Sequence, residues 1–159
     1  MKIGVLTGGG DAPGLNPAVA GVVERATLYG FEVLGLKRGW EALSVKENEG
    51  HIVELGPEII REYSRMGGSK LQCSRTNPVS GDNDRTDIVK ENMKKLKLDA
   101  IVAIGGEDTL GAASYLFERG IPVVGIPKTI DRDLYGTEYS LGYDTALNVI
   151  CESAQRIAH

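Results

Sequence analysis

The 159-residue chain predicts an α/β domain of three layers, helix–sheet–helix, around a mainly parallel sheet. Three observations carry this. Short apolar runs, at Lys2–Thr7, Glu32–Lys37, Ala100–Ile104 and Val123–Ile126, read as buried strands. Segments of helical periodicity lie between them, so strand and helix alternate along the chain. Glycine is abundant, 21 residues, and gathers at strand ends rather than in low-complexity tracts, a pattern expected where backbone must approach something closely.

Taken in order, the strand Lys2–Thr7 gives way to the turn Gly8-Gly9-Gly10-Asp11-Ala12-Pro13-Gly14. Asn16 is placed to cap a helix and Pro17 to open it. That helix reaches about Tyr29 and stops at Gly30. After Glu32–Lys37, the stretch Gly39–Gly50 reads as irregular, with a short strand near Ile52. Pro57 opens a helix that ends near Met66, broken by Gly67-Gly68, and Ser69–Asp84 is a polar loop. Thr86–Lys97 is amphipathic, with Ile88, Val89, Met93 and Leu96 near one face. Leu110–Glu118 is a helix stopped by Gly120, and Asp144 begins a last helix with Ala146, Val149, Ile150 and Ala154 on one side.

Composition bounds the function. Hydrophobic residues are 42% and charged residues 25%, a globular balance, and the net charge of −4 argues against nucleic acid or an anionic membrane as partner. No apolar run approaches the ~18 residues of a membrane span. The two cysteines, Cys73 and Cys151, form neither a metal-type spacing nor a disulfide framework. The expectation is a reducing, cytoplasmic setting with free thiols.

Chemistry concentrates in four loops. The first glycine-rich turn, residues 8–14, would point backbone N–H groups into a concavity at a helix N-terminus, where phosphate is the usual guest, although a tight turn without ligand has the same look. Gly105-Gly106-Glu107-Asp108-Thr109 also joins a strand to a helix; its carboxylates suit Mg²⁺ between protein and phosphate, or merely cap the helix. In Gly67-Gly68-Ser69-Lys70-Leu71-Gln72-Cys73-Ser74-Arg75, Arg75 could clamp a phosphate in bidentate fashion, but on the residues alone a solvated surface loop is the better reading. Last, Pro127-Lys128-Thr129-Ile130-Asp131-Arg132-Asp133 packs cations, a hydroxyl and two carboxylates behind a strand. If extended, it sets Thr129, Asp131 and Asp133 on one face and Lys128 and Arg132 on the other. A carboxylate there is a candidate general base for a hydroxyl. Four such loops at alternating strand ends favour transfer of an anionic group over packing alone.

These motifs, in this order and spacing and together with Gly142-Tyr143-Asp144-Thr145-Ala146, resemble the N-terminal half of the 6-phosphofructokinases over essentially the whole chain. The resemblance implies a phosphofructokinase-like fold, with residues 1–143 as the donor-binding domain and 144–159 as the start of a helix leading to a second domain, truncated at His159. It implies that the Gly10 N–H meets the donor phosphates, with Asp11 in the same turn, and that Arg75 bridges donor and transferring phosphoryl. It implies Mg²⁺ supported by Glu107, where the family usually has Asp, with Thr109 in the same donor-side motif. Thr129 and Asp131 would face the sugar 1-hydroxyl, Asp131 as proton acceptor, with Ile130 and Asp133 in the same segment.

Two positions bear on the donor. ATP-using members resemble Gly-Gly-Asp-Gly and Pro-Gly-Thr-Ile-Asp, whereas pyrophosphate-using members have Asp and Lys where this chain has Asp108 and Lys128. Asp108 adds bulk and negative charge where a nucleotide α-phosphate would lie, and Lys128 offers a cation to the phosphoryl groups. The implied reaction is Mg²⁺-dependent transfer from pyrophosphate to the 1-hydroxyl of fructose 6-phosphate, in a homo-oligomer when full length. An ATP-dependent enzyme, a kinase of another acceptor and a non-catalytic phosphate-binding remnant stand as alternatives. The fragment by itself is expected to be inactive. Arg132 departs from the family's usual Asn. It would be either a salt-bridge residue pointing away from Asp131 or a residue that draws Asp131 or Asp133 out of place.

Overall fold

The computed structural model describes residues 1–81 and 84–158. Asp82 and Asn83 of the expected polar loop, and His159 where truncation is expected, lie outside them.

One sheet runs through the molecule. Its strands are β1 (Lys2–Thr7), β2 (Glu32–Leu36), β3 (Ile52–Leu55), β4 (Ala100–Gly105), β5 (Val123–Thr129) and β6 (Leu141–Gly142), in the order β3-β2-β1-β4-β5-β6. Every pairing is parallel except β2 with β3. The helices are α1 (Leu15–Leu28), α2 (Glu41–Ser44), α3 (Glu58–Tyr63), α4 (Thr86–Leu96), α5 (Glu107–Glu118) and α6 (Tyr143–Ile157). The central strands are buried on both faces, as parallel strands under crossover helices must be. Alternation then sends Leu6, Ile101 and Ala103 into one core with Trp40, Leu43, Val89 and Leu116. Val5 and Ile104 enter the other, with Leu15, Val19 and Val23 of α1. The two cores are the filling of the helix–sheet–helix sandwich expected from the alternating pattern.

Several local expectations change. Gly14, not Asn16, caps α1: its φ of 95° is a left-handed conformation open mainly to glycine. Asn16 is instead buried in the first turn, where its amide donates to the Gly67 carbonyl at 2.9 Å and its Oδ1 accepts from the Lys70 N–H at 2.8 Å. It ties the Gly67–Lys70 loop to the helix. The stretch expected to be irregular contains α2, too short to show a helical period. The helix after Pro57 ends at Tyr63, before Met66, and α5 begins at Glu107 rather than Leu110. β6 is only two residues long and carries no periodic signal. In α6 the expected apolar side is present, but the helix buries none of its residues, and Val149 and Ile150 are exposed. Both cysteines are free thiols. No helix among the described residues is long and apolar enough to cross a membrane.

The topology places a site. From β1 the chain steps to β2 on one side, whereas β4 steps to β5 on the other. Sheets of this kind open a crevice beyond the carboxyl ends of the strands where the winding reverses. Here the crevice lies beyond the ends of β1 and β4, the two strands followed by glycine-rich turns.

Candidate active site

Each wall of the crevice is built by a loop that the sequence had marked. After β1 the chain turns at Gly8, whose N–H donates to the Ile104 carbonyl at 2.9 Å, and at Gly9, whose N–H donates to the Ser74 carbonyl at 3.0 Å. Thr109 packs against Gly8 and Gly105 so closely that a methyl group on either would collide with it. Thr109 is 4% exposed, and its carbonyl accepts from the Trp40 indole at 3.1 Å. The two glycine turns are therefore locked together across one threonine. At Gly10 the situation reverses. Nothing stands within 4 Å of where a Cβ would project, and among the described residues no acceptor meets its N–H.

The Arg75 loop is held by the Gly9–Ser74 backbone bond and by two hydroxyls. The Thr7 hydroxyl donates to the Gln72 carbonyl at 2.9 Å, and the Ser74 hydroxyl donates to the Arg38 carbonyl at 2.6 Å. Arg75 itself is exposed at the rim. After β4, Gly106 caps α5, so Glu107 and Asp108 occupy its first turn. Both roles weighed for these carboxylates are thus compatible: they sit favourably at a helix N-terminus and they face the crevice.

From β5 comes Lys128, 4% exposed, whose ammonium donates to the Gly10 carbonyl at 2.6 Å. Burial pushes its pKa below the ordinary 10.5, against the opposing pull of Cys73, Asp11 and Asp131. Beyond Thr129 the strand ends, which corrects the expectation of an extended segment. The Thr129 hydroxyl accepts from the Asp131 N–H at 3.1 Å and donates to Asp133 at 3.3 Å, while Arg132 takes a φ of 56°. A hydroxyl-centred turn and a left-handed residue abolish side-chain alternation here. Thr129, Asp131 and Asp133 share a face through the turn rather than through the pleat. Arg132 forms no ion pair among the described residues, so the expected salt bridge is not made. Its guanidinium lies over the Tyr143 ring instead, 5.5 Å from the centroid.

All of these loops border one cavity of about 380 Å³. Gly10, Asp11 and Arg75 form one side; Glu107, Asp108 and Thr109 the second; Lys128, Thr129, Ile130, Asp131 and Asp133 the third. Every site residue expected from the sequence lines it. An adjoining hollow of about 240 Å³ shares Gly9, Gly10, Arg75, Asp108 and Thr109 and adds Ser74 and Thr76. Thr76 was not anticipated; its only signal was adjacency to Arg75. A larger hollow of about 590 Å³ lies elsewhere, between residues 27–34 and 54–58. Its charged lining is Glu32, Glu54 and Glu58 with no cation, so it offers nothing to a phosphate.

Mg²⁺ is tested by the donor set. No group of three or more metal-binding side chains converges among the described residues. Mg²⁺ rarely asks for one: it takes one or two carboxylates, keeps several waters and shares phosphate oxygens. Glu107 and Asp108, exposed at the cavity wall beside cationic Arg75 and Lys128, fit that mode.

The sheet is doubly wound, and the cleft at its switch point brings together the open Gly10 N–H, a buried and a rim cation and several carboxylates. Residues 2–159 match the sequence profile of the family described as Phosphofructokinase, and the chain belongs to that family. It is 51% identical over 157 residues to the pyrophosphate–fructose 6-phosphate 1-phosphotransferase of Dictyoglomus thermophilum, covering 99% of this chain and 44% of that protein. It is 40% identical to an ATP-dependent 6-phosphofructokinase of Thermus thermophilus, covering 98% and 47%. The phosphofructokinase structure from Saccharomyces cerevisiae superposes with a TM-score of 0.89 at 26% identity, over 99% of this chain and 24% of the other. The chain thus spans less than half the length of these relatives.

Proposed function

We propose that this cleft transfers a phosphoryl group from pyrophosphate to the 1-hydroxyl of fructose 6-phosphate, with Mg²⁺, in a cytoplasmic homo-oligomer. The observation that carries the choice of donor is the position of Asp108. It borders both the main cavity and the adjoining hollow, so a donor long enough to run from one into the other must pass a carboxylate. Pyrophosphate, confined to one lobe, avoids that repulsion; a nucleoside triphosphate does not. Lys128 adds a buried cation on the same lobe.

In this reading the open Gly10 N–H, Arg75 and Lys128 bind the transferring phosphoryl group and the departing phosphate, and stabilise charge as it moves between them. Thr129 braces the turn that presents Asp131. The Asp131 carboxylate takes the proton of the sugar hydroxyl as its oxygen bonds to phosphorus; the bridging P–O bond breaks and orthophosphate leaves. Bound at Glu107, and within reach of Asp108, Mg²⁺ would neutralise charge on the phosphate oxygens. Catalysis is then mostly positioning and electrostatics.

The test is a donor comparison. Turnover of fructose 6-phosphate is measured with pyrophosphate and with ATP in the full-length protein, as wild type and as Asp108→Gly/Lys128→Gly. The expected result is activity with pyrophosphate and a gain of ATP use in the double variant. A wild-type preference for ATP, or a donor preference untouched by the double substitution, overturns the reading.

A further inference from the structure

Arg132 occupies the most sensitive point of the site with the weakest visible means of support. Among the described residues, four that are not glycine have positive φ: Arg38, Gln72, Lys97 and Arg132. Lys97 ends α4, a usual place for a left-handed residue. Arg38 and Gln72 are clamped by their own backbones. The Arg38 N–H donates to the Leu71 carbonyl at 2.8 Å, and the Gln72 N–H donates to the Ser69 carbonyl at 3.0 Å. Their carbonyls accept from Ser74 and Thr7. Arg132 has no such bonds among the described residues. A long L side chain is not drawn to this conformation by its own preference, so something beyond the backbone selects it. The contact at hand is the guanidinium over the Tyr143 ring.

Tyr143 stands at the junction of β6 and α6. It begins α6 directly after β6, whose Leu141 and Gly142 pair with Lys128 and Thr129. A Cβ at Gly142 would stand 3.1 Å from the Ala12 methyl and 3.5 Å from the Ile130 Cγ2, so the start of α6 is packed against both the first glycine turn and the base-bearing loop. The Ser140 hydroxyl donates to the Thr129 carbonyl at 2.6 Å. The 130–133 turn is thus fastened to this junction on its upstream side by Ser140 and β6. Its downstream side is held by the Thr129 hydroxyl, which donates to Asp133 at 3.3 Å, and by Arg132.

We infer that Arg132 is a positioning residue: its guanidinium, lying over the Tyr143 ring, acts with the Thr129–Asp133 bond to close the left-handed turn that holds Asp131 and Asp133 toward the cavity. This rests on the phosphoryl-transfer reading for its kinetic consequence but not for its structural one. The position asks for a residue that accepts a left-handed backbone. Asn would supply that preference intrinsically; Arg supplies it through a partner.

The experiment compares Arg132→Ala, Arg132→Asn, Tyr143→Leu and the pair Arg132→Asn/Tyr143→Leu. Amide hydrogen exchange across residues 130–134 and 8–14 is measured first, then kcat and the KM for pyrophosphate. Arg132→Ala and Tyr143→Leu should each speed exchange in 130–134 and leave 8–14 unchanged. Each should lower kcat about ten- to a hundredfold with the pyrophosphate KM within about twofold. Arg132→Asn should restore both readouts, and in that background Tyr143→Leu should add little. Exchange in 130–134 unmoved by Arg132→Ala, or an Asn variant as impaired as the Ala variant, overturns the inference. A wild type without pyrophosphate turnover defeats the donor reading alone, because the exchange pattern still decides the role of Arg132.

Discussion

Across the crevice, the two walls of the cavity differ in how far backbone and side chains hold them. On the donor side, the N–H groups of Gly8 and Gly9 and the loop carrying Arg75 are joined by backbone hydrogen bonds, with Thr109 wedged between two glycine turns. On the acceptor side, residues 130–133 depend on side chains: the Thr129 hydroxyl, Ser140, and Arg132 on Tyr143. A wall made of backbone keeps its shape whatever side chains solvent-facing positions carry, and fails where a Cβ must be fitted. A wall made of side chains is the reverse. The donor cradle thus suits a compact anion whose shape does not vary, and the acceptor wall places one carboxylate.

The largest break in this comparison should come from Asp131→Asn. Turnover should fall about a hundred- to ten-thousandfold, while the melting temperature stays near that of the wild type, since among the described residues the Asp131 carboxylate makes no hydrogen bond and no ion pair. Near-normal turnover would remove Asp131 from the role of base. Next is Lys128→Met, expected to weaken pyrophosphate binding about ten- to a hundredfold by calorimetry, because a charge-assisted contact is lost. The same lysine sets an alkaline limit in the wild type. Burial lowers its pKa from 10.5, so its positive charge, and pyrophosphate affinity with it, should decline at a lower pH than an ordinary lysine would dictate. Lys128→Met should lose that alkaline decline.

The glycines sharpen the contrast between shape and chemistry. Gly8→Ala drives a methyl into Thr109 and should cost about 1–3 kcal/mol, seen as a melting temperature several degrees lower. Gly10→Ala meets no protein atom; it should leave the melt unchanged and reduce pyrophosphate affinity, because the methyl enters space meant for the anion. If Gly10→Ala instead lowers the melt and spares affinity, Gly10 belongs to the scaffold and not to the cradle. The smallest effect lies outside both walls. Asp84 accepts from the Thr86 hydroxyl and N–H and from Tyr115, which lowers its pKa from 3.8 to about 2. A carboxylate with a depressed folded pKa contributes stability that is complete above the unfolded value and lost as pH falls through the folded one. Melting curves of the wild type and Asp84→Asn should therefore differ at pH 6 and converge between about pH 4 and 2.

Much of this was legible in the residues. The strands announced themselves because short apolar runs bounded by glycine are hard to place anywhere but a buried sheet. The four loops were legible because glycine, paired carboxylates and isolated cations are conspicuous at strand ends. What misled is equally specific. Asn16 has the chemistry of a cap, but its amide found better use joining α1 to Gly67 and Lys70, a partner some fifty positions away that local rules cannot see. The Lys128–Asp133 segment was judged by strand alternation, yet the Thr129 hydroxyl ended the strand by competing for the Asp131 N–H. Arg132 looked like a charge in search of a carboxylate and is instead paired with an aromatic ring eleven positions on.

By itself, the order of apolar runs, helical segments and glycine-rich ends determined the layered α/β architecture and marked the loops that line the cavity, because periodicity and turn chemistry are local properties. Tertiary structure alone decided which groups are free to act. Parallel pairing of β1, β4 and β5 gathered the loops onto one edge of the sheet, and Thr109 interlocked two of them. Long-range hydrogen bonds consumed the N–H groups of Gly8 and Gly9 while sparing that of Gly10. Among the described residues, the buried Lys128 ammonium has one hydrogen-bond partner, the Gly10 carbonyl. Such distinctions depend on distance between residues far apart in the chain, which no local pattern of amino acids encodes.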